Sequence, residues 1–202
     1  AVCLAGFTFA QDAPLWMRHS VISPDGTTIA FTYKGDIYTV PVAGGRAMQI
    51  TTNPAYDTAP VWSPDSKRIA FASDRMGSLD VYIVAKDGGE PRRLTTHSGS
   101  ETPLAFTDAG HVLFSAGIMP SAEAVVFPSN GQFNQVYRVS VEGGRPTMIS
   151  SMPMECISIN KEGAMLYQDK KGYEDYWRKH HVSPIARDIW MYTPGKEPQY
   201  RQ

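Results

Sequence analysis

Ser23-Pro24-Asp25-Gly26-Thr27-Thr28-Ile29-Ala30-Phe31 returns forty residues later as Ser63-Pro64-Asp65-Ser66-Lys67-Arg68-Ile69-Ala70-Phe71. A weaker copy is Phe106-Thr107-Asp108-Ala109-Gly110-His111-Val112-Leu113-Phe114, and a fourth is Ile159-Asn160-Lys161-Glu162-Gly163-Ala164-Met165-Leu166-Tyr167. The closing aromatic falls at 31, 71, 114 and 167, in steps of 40, 43 and 53 residues. In each strong copy the proline suits a position needing φ near −65°, and the residue after Asp stands where the chain turns back. The apolar and β-branched residues that follow read as a strand.

Two further landmarks follow each copy. The first is Asp36-Ile37-Tyr38, Asp80-Val81-Tyr82, Gln135-Val136-Tyr137 and Asp188-Ile189-Trp190, and Asp-Ile-Tyr-Thr-Val alternates its faces as a strand does. The second is a glycine pair, Gly44-Gly45, Gly88-Gly89 and Gly143-Gly144, which supplies the positive φ of a tight reversal. Ile50-Thr51, Leu94-Thr95 and Ile149-Ser150 then close three units, while the fourth degrades into Pro194-Gly195-Lys196. One unit thus reads strand, turn, strand, loop, strand, Gly-Gly turn, strand. Four strands in forty to fifty residues is the signature of a propeller blade. A sandwich would not repeat its turn residues at this period, and a helical solenoid would need 3.6-periodic segments that are missing.

The expected fold is therefore all-β, with about four four-stranded antiparallel blades over residues 15–52, 58–96, 102–150 and 155–202. Closed propellers use roughly four to eight blades, so an incomplete ring or a fragment of a larger one is expected.

Composition agrees. The chain has 202 residues, 42% hydrophobic and 19% charged, with a formal net charge of −1. That is enough apolar material for a core, and the charge balance gives no footprint for a nucleic-acid partner. No stretch of 18 apolar residues offers a membrane span. Residues 1–10, Ala1-Val2-Cys3-Leu4-Ala5-Gly6-Phe7-Thr8-Phe9-Ala10, look like the rear of a secretory signal peptide cut after Ala10, which points to a periplasmic or secreted protein. Cleavage would remove Cys3 and leave Cys156 alone, read as a buried and inert thiol in an apolar run.

The units resemble the N-terminal propeller of secreted tricorn-like serine peptidases and, less closely, the TolB-type propeller. The matching stretches are Leu15-Trp16-Met17-Arg18, Ser23-Pro24-Asp25-Gly26 with Tyr33-Lys34-Gly35-Asp36-Ile37-Tyr38, and Ser73-Asp74-Arg75. The most specific is Tyr176-Trp177-Arg178-Lys179-His180-His181-Val182-Ser183 with Ala186-Arg187-Asp188-Ile189-Trp190. The resemblance covers residues 11–202. It implies a non-catalytic part of an exported peptidase that filters or delivers peptides, or docks other domains of the parent enzyme. The alternative is a free-standing TolB-like scaffold that binds proteins. In the peptidase family a PDZ-like module and a serine catalytic domain follow the propeller, and neither is matched here. With no Gly-x-Ser-x-Gly and no His-Glu-x-x-His, no catalytic residue is expected in this chain, and no cofactor.

Repeated residues and unique residues point to different roles. Asp36, Asp80 and Asp188 share one slot and read as caps of the turn into the third strand. Tyr38, Tyr82, Tyr137 and Trp190 share another and read as inter-blade packing. The gap from closing aromatic to third strand grows from 5 and 9 residues in the first two units to 21 in each of the last two. In an up-and-down blade that loop shares a face with the blade-to-blade connections, 52–60, 96–103 and 151–155, and insertions on one face mark a binding face. That face would gather Tyr56, Asp57, His97, Glu101, Met119, Phe127, Trp177, Arg178, Lys179, His180, His181 and Arg187. Arg178, Lys179 and Arg187 suit peptide carboxylates, with Trp177 and Phe127 as apolar contacts. The competing reading packs Trp177 and the His pair inside the loop as a structural plug. His180 and His181 are adjacent and would point to opposite faces of a strand, so no metal site is expected.

Overall fold

A computed structural model describes residues 16–117, 134–151, 154–160, 162–169, 188–195 and 199–202. They form sixteen strands in four antiparallel sheets of four. The first sheet is β1 (Arg18–Ile22), β2 (Thr28–Tyr33), β3 (Asp36–Pro41) and β4 (Met48–Gln49). The second is β5 (Asp57–Trp62), β6 (Arg68–Ser73), β7 (Asp80–Ala85) and β8 (Arg92–Arg93). The third is β9 (Glu101–Asp108), β10 (His111–Ala116), β11 (Gln135–Ser140) and β12 (Thr147–Ser150). The fourth is β13 (Met154–Ile159), β14 (Met165–Asp169), β15 (Ile189–Thr193) and β16 (Gln199–Arg201). Strands pair in chain order within every sheet. The first strands pack in series, β1 on β5, β5 on β9 and β9 on β13, which sets the four sheets as blades about an axis. Among the described residues there is no helix.

The turns are those the sequence announces. At the lower end of the first, second and fourth blades, Gly26 donates its amide to the Ser23 carbonyl (2.8 Å), Ser66 to Ser63 (2.9 Å) and Gly163 to Asn160 (3.1 Å). Ser23 Oγ donates to Asp25 Oδ1 (2.6 Å), which also takes the Thr27 amide (3.0 Å). Ser63, Asp65 and the Lys67 amide repeat this arrangement. The Gly-Gly turns are also superimposable in their bonding: Gly44, Gly88 and Gly143 donate to Pro41, Ala85 and Ser140, and all six glycines have positive φ. The Asp36 slot is reached by a two-residue reversal, Lys34-Gly35, with φ of 52° and 90°.

Alternation along each strand assigns one face to each neighbouring blade. Ala30, Ile37 and Ile50 of the first blade share a buried cluster with Trp62, Ile69, Phe71, Tyr82 and Val84 of the second. Ala70, Val81, Ile83 and Leu94 of the second face Val112, Phe114, Tyr137 and Val139 of the third. Leu113 and Val136 face Met154, Met165 and Tyr167 of the fourth. Thus Ile-Ala-Phe is a wedge: its small middle residue faces the aromatic of the next blade's wedge, Ala30 with Phe71 and Ala70 with Phe114. The repeated aromatics act twice. Phe31–Tyr38, Phe71–Tyr82 and Phe114–Tyr137 are opposite one another across strands and stack at 5.9, 6.0 and 5.7 Å between centroids. Tyr82 and Tyr137 then fill the seams between blades, and Trp190 packs against the third seam.

The first strands carry a bulge that the sequence does not announce. Register breaks between Arg18 and Val21, Thr58 and Val61, and Glu155 and Ser158. His19, Ala59 and Cys156 occupy these bulges with φ of 51°, 52° and 53°. The bulge turns Cys156 out of the third seam, so the thiol is exposed rather than buried. It also admits Pro60 into β5, which begins at Asp57 and not after the proline. Pro103 likewise lies inside β9, beside a register shift.

Candidate functional site

Loops joining second to third strands, and connections between blades, emerge together at the upper end of the blades. Asp57 heads β5, and its amide donates to the Gly35 carbonyl in the first blade (2.7 Å). Glu101 heads β9 and makes the equivalent bond to Leu79 of the second blade (2.6 Å). These two bonds clamp each new blade to the loop of the one before.

Around each clamp stands the same kit. The Thr51 hydroxyl accepts the Ile37 amide (3.0 Å), and the Thr95 hydroxyl accepts the Val81 amide (2.9 Å). This gives the recurring threonine its reason: it ties the end of the fourth strand to the start of the third. Asp36 accepts from Thr51 (3.3 Å) and from Gln49 Nε2 (3.0 Å), so it bridges to the fourth strand instead of capping its own turn. Burial holds its carboxyl above the ordinary value, against the Thr51 bond. In Asp80's case Arg93 replaces Gln49, with Nη2 2.8 Å from Oδ2. Burial again pushes the Asp80 carboxyl up, and Arg93 opposes it.

The second acid of each kit is treated differently. Asp57 is fully buried, and Arg75 Nη2 reaches both its oxygens at 3.1 and 3.0 Å. Arg75 also lies over the Tyr82 ring, 4.5 Å from the centroid, and its Nε donates to Ser73 Oγ (2.8 Å). Glu101 is equally buried, yet among the described residues neither oxygen has an aligned hydrogen-bond donor. Burial pushes its carboxyl up to about 7. His97 stands in the adjoining connection, where its Nδ1 accepts the Gly99 amide (3.0 Å) and its carbonyl accepts Ser78 Oγ (3.3 Å).

Above these clamps three large apolar side chains stand exposed among polar neighbours. Trp16, Tyr56 and Met76 are 73%, 42% and 65% exposed. Tyr56 is fixed by its amide, which donates to Asp74 Oδ1 (2.7 Å), and its ring lies over Gly35. Of the residues expected on this face, the structure brings Tyr56, Asp57, His97 and Glu101 to it, with Asp57 and Glu101 inside the seams. Trp177, Arg178, Lys179, His180, His181 and Arg187, with Met119 and Phe127, lie outside the described residues. Arg75, Met76 and Arg93 were given no role by sequence reasoning. The signal for Arg75 was its place two residues past the end of β6, whose Ser73 pairs with Asp57 at the head of β5. Among the described residues no three His, Cys, Asp or Glu side chains converge as metal ligands.

Four-stranded blades clamped in series through their first strands define a β-propeller. Residues 14–201 match the model of the Tricorn protease N-terminal beta propeller domain, and the chain belongs to that family. It is 25% identical over 180 residues to Tricorn protease homolog 1 of Streptomyces coelicolor, a match covering 89% of this chain and 16% of that protein. The structure of putative TolB from Agrobacterium tumefaciens superimposes with a TM-score of 0.66 at 16% identity, over 90% of this chain and 59% of that one. The tricorn protease itself superimposes with a TM-score of 0.61 at 14% identity, over 88% of this chain and 21% of that one. The chain therefore spans a minor part of the curated relatives it matches.

Proposed function

We propose that this chain is a non-catalytic propeller part of an exported tricorn-type serine peptidase, and that its upper face receives peptide on the way to the catalytic domain or docks a neighbouring domain. The observation that carries this reading is the exposed set Trp16, Tyr56 and Met76 at the end of the blades from which the two 21-residue gaps depart. Aromatic and methionine side chains on an insertion-bearing face suit extended peptides of mixed sequence. The unique basic residues Arg178, Lys179 and Arg187 would add carboxylate recognition to the same face. Export rests on the apolar residues 1–10.

The TolB likeness supports a second reading, a free-standing scaffold that binds folded protein through the same face. A photo-reactive amino acid at Tyr56, with a control at Val42 on the lower face, tests both. The probe is a tryptic peptide pool from one unfolded protein. Labelling of peptides at position 56 and not at 42 supports peptide capture. Equal labelling at both positions, or none, overturns it.

A further inference from the structure

The two upper clamps are built alike and charged unlike. In the first seam two acids, Asp36 and Asp57, face one cation, Arg75, which is committed to the deeper acid. In the second seam two acids, Asp80 and Glu101, again face one cation, but Arg93 is committed to the shallower acid. Four residues past the third closing aromatic, the offset at which Arg75 follows Phe71, the sequence has Ile118 and not a cation. Glu101 is a fully buried carboxyl with no aligned donor to either oxygen among the described residues, set at the residue whose amide holds the third blade to the second. An unpaired buried charge is costly, and a buried acid without a partner avoids that cost by keeping its proton.

We propose that the seam between the second and third blades is a proton-controlled joint: protonated Glu101 keeps it closed, and ionised Glu101 loosens the clamp between its own amide and the Leu79 carbonyl. The groups around Glu101 account for this. From β7 comes Asp80, whose charge opposes ionisation; from β8 comes Arg93, already held by Asp80; the Thr95 hydroxyl, which accepts the Val81 amide and keeps its own proton to offer, favours the charge. Asp57, at the head of β5, is paired with Arg75. The upper ends of β6, β10 and β13 bring Ser73, Ala116 and Met154, none of which can neutralise a carboxylate. Burial outweighs the favourable neighbours, so the carboxyl changes charge near neutrality, where a change of compartment or medium would act on it. The connection holding His97 runs into Glu101, so loosening this joint alters the upper face.

Amide hydrogen exchange of the whole chain at pH 6 and pH 8, corrected for intrinsic rates, tests the joint. Protection of residues 79–81 and 96–101 is expected to fall about tenfold at pH 8, while residues 35–37 and 51–57 in the first seam keep theirs. Glu101→Gln is expected to abolish the difference. The joint is overturned if both seams respond alike, or if Glu101→Gln still shows the fall at pH 8. Direct carboxyl NMR of the unaltered chain is the second measurement: a Glu101 titration in the ordinary glutamate range also overturns it.

Discussion

Replacing Arg75 by Met removes the cation paired with Asp57 and leaves the hydrophobic stem in place. Asp57 is fully buried and Arg75 nearly so, with side-chain exposures of 0% and 14%. Stripping one partner from a buried ion pair strands the other charge, which costs about 3–5 kcal/mol. The loss of the cation from the Tyr82 face adds about 0.5–1 kcal/mol. For a chain of this size each kcal/mol moves the thermal midpoint by roughly 2–4 °C, so Arg75→Met is expected to lower it by about 7–24 °C. Thermal unfolding at neutral pH, read by circular dichroism with a urea midpoint as a cross-check, measures it. The double variant with Asp57→Asn should lose less than the two singles together by about 1–3 kcal/mol, because neither change then strands a charge. An Arg75→Met cost below about 1 kcal/mol, the range of an exposed ion pair, would refute the placement of this pair inside the first seam.

Glu101 sets a pH dependence of opposite sign to the usual carboxylate. Its folded value of about 7 stands above the ordinary 4.5, so its stabilising contribution is full below 4.5 and lost as pH rises to about 7. Glu101→Gln is expected to match the parent chain at pH 4.5 and to exceed it by up to about 3 kcal/mol at pH 8, seen in urea midpoints at both values. Asp25 behaves conversely: the Ser23 hydroxyl and the Thr27 amide and hydroxyl hold it at about 2, so what it contributes is present above the ordinary carboxylate range and lost as pH falls towards 2. Carboxyl NMR should find it there and find it raised by Ser23→Ala. Ser66 takes positive φ in the slot Gly26 fills, and its hydroxyl accepts the Asp25 amide of the neighbouring blade (3.1 Å). Ser66→Ala keeps the strain and loses the bond, at about 1 kcal/mol by denaturant unfolding, whereas Ser66→Gly trades one for the other and stays near neutral.

The architecture was legible because each local signal had a local cause. Ser-Pro-Asp-Gly and Gly-Gly specify reversals through φ and side-chain bonds within a few residues, and their recurrence sets the period. The wedge Ile-Ala-Phe and the Asp-Ile-Tyr strand carry their faces in period-two alternation. What was not legible depends on partners far along the chain. The bulges at His19, Ala59 and Cys156 arise where a first strand bends around the axis, and no residue type marks them, so Cys156 read as buried and Pro60 as a connection. Asp36 and Asp80 were recognisable as structural, yet their partners, Thr51 and Arg93, lie 15 and 13 residues on and are chosen by the fourth strand's register. The upper face was located from loop lengths alone. That Asp57 and Glu101 lie inside its seams could not be read there, because burial is set by the blade that follows.

Repetition of one strand register in all four blades is the claim on which the rest depends. Cross-strand proton contacts in an NMR spectrum of the isotope-labelled chain measure it at equivalent pairs: Ala30 with Thr39, Ala70 with Ile83, Leu113 with Arg138 and Leu166 with Met191. Interstrand backbone contacts at all four pairs are the expected result. Their absence at any one, or sequential amide contacts typical of helix in its place, would contradict the repeated blade.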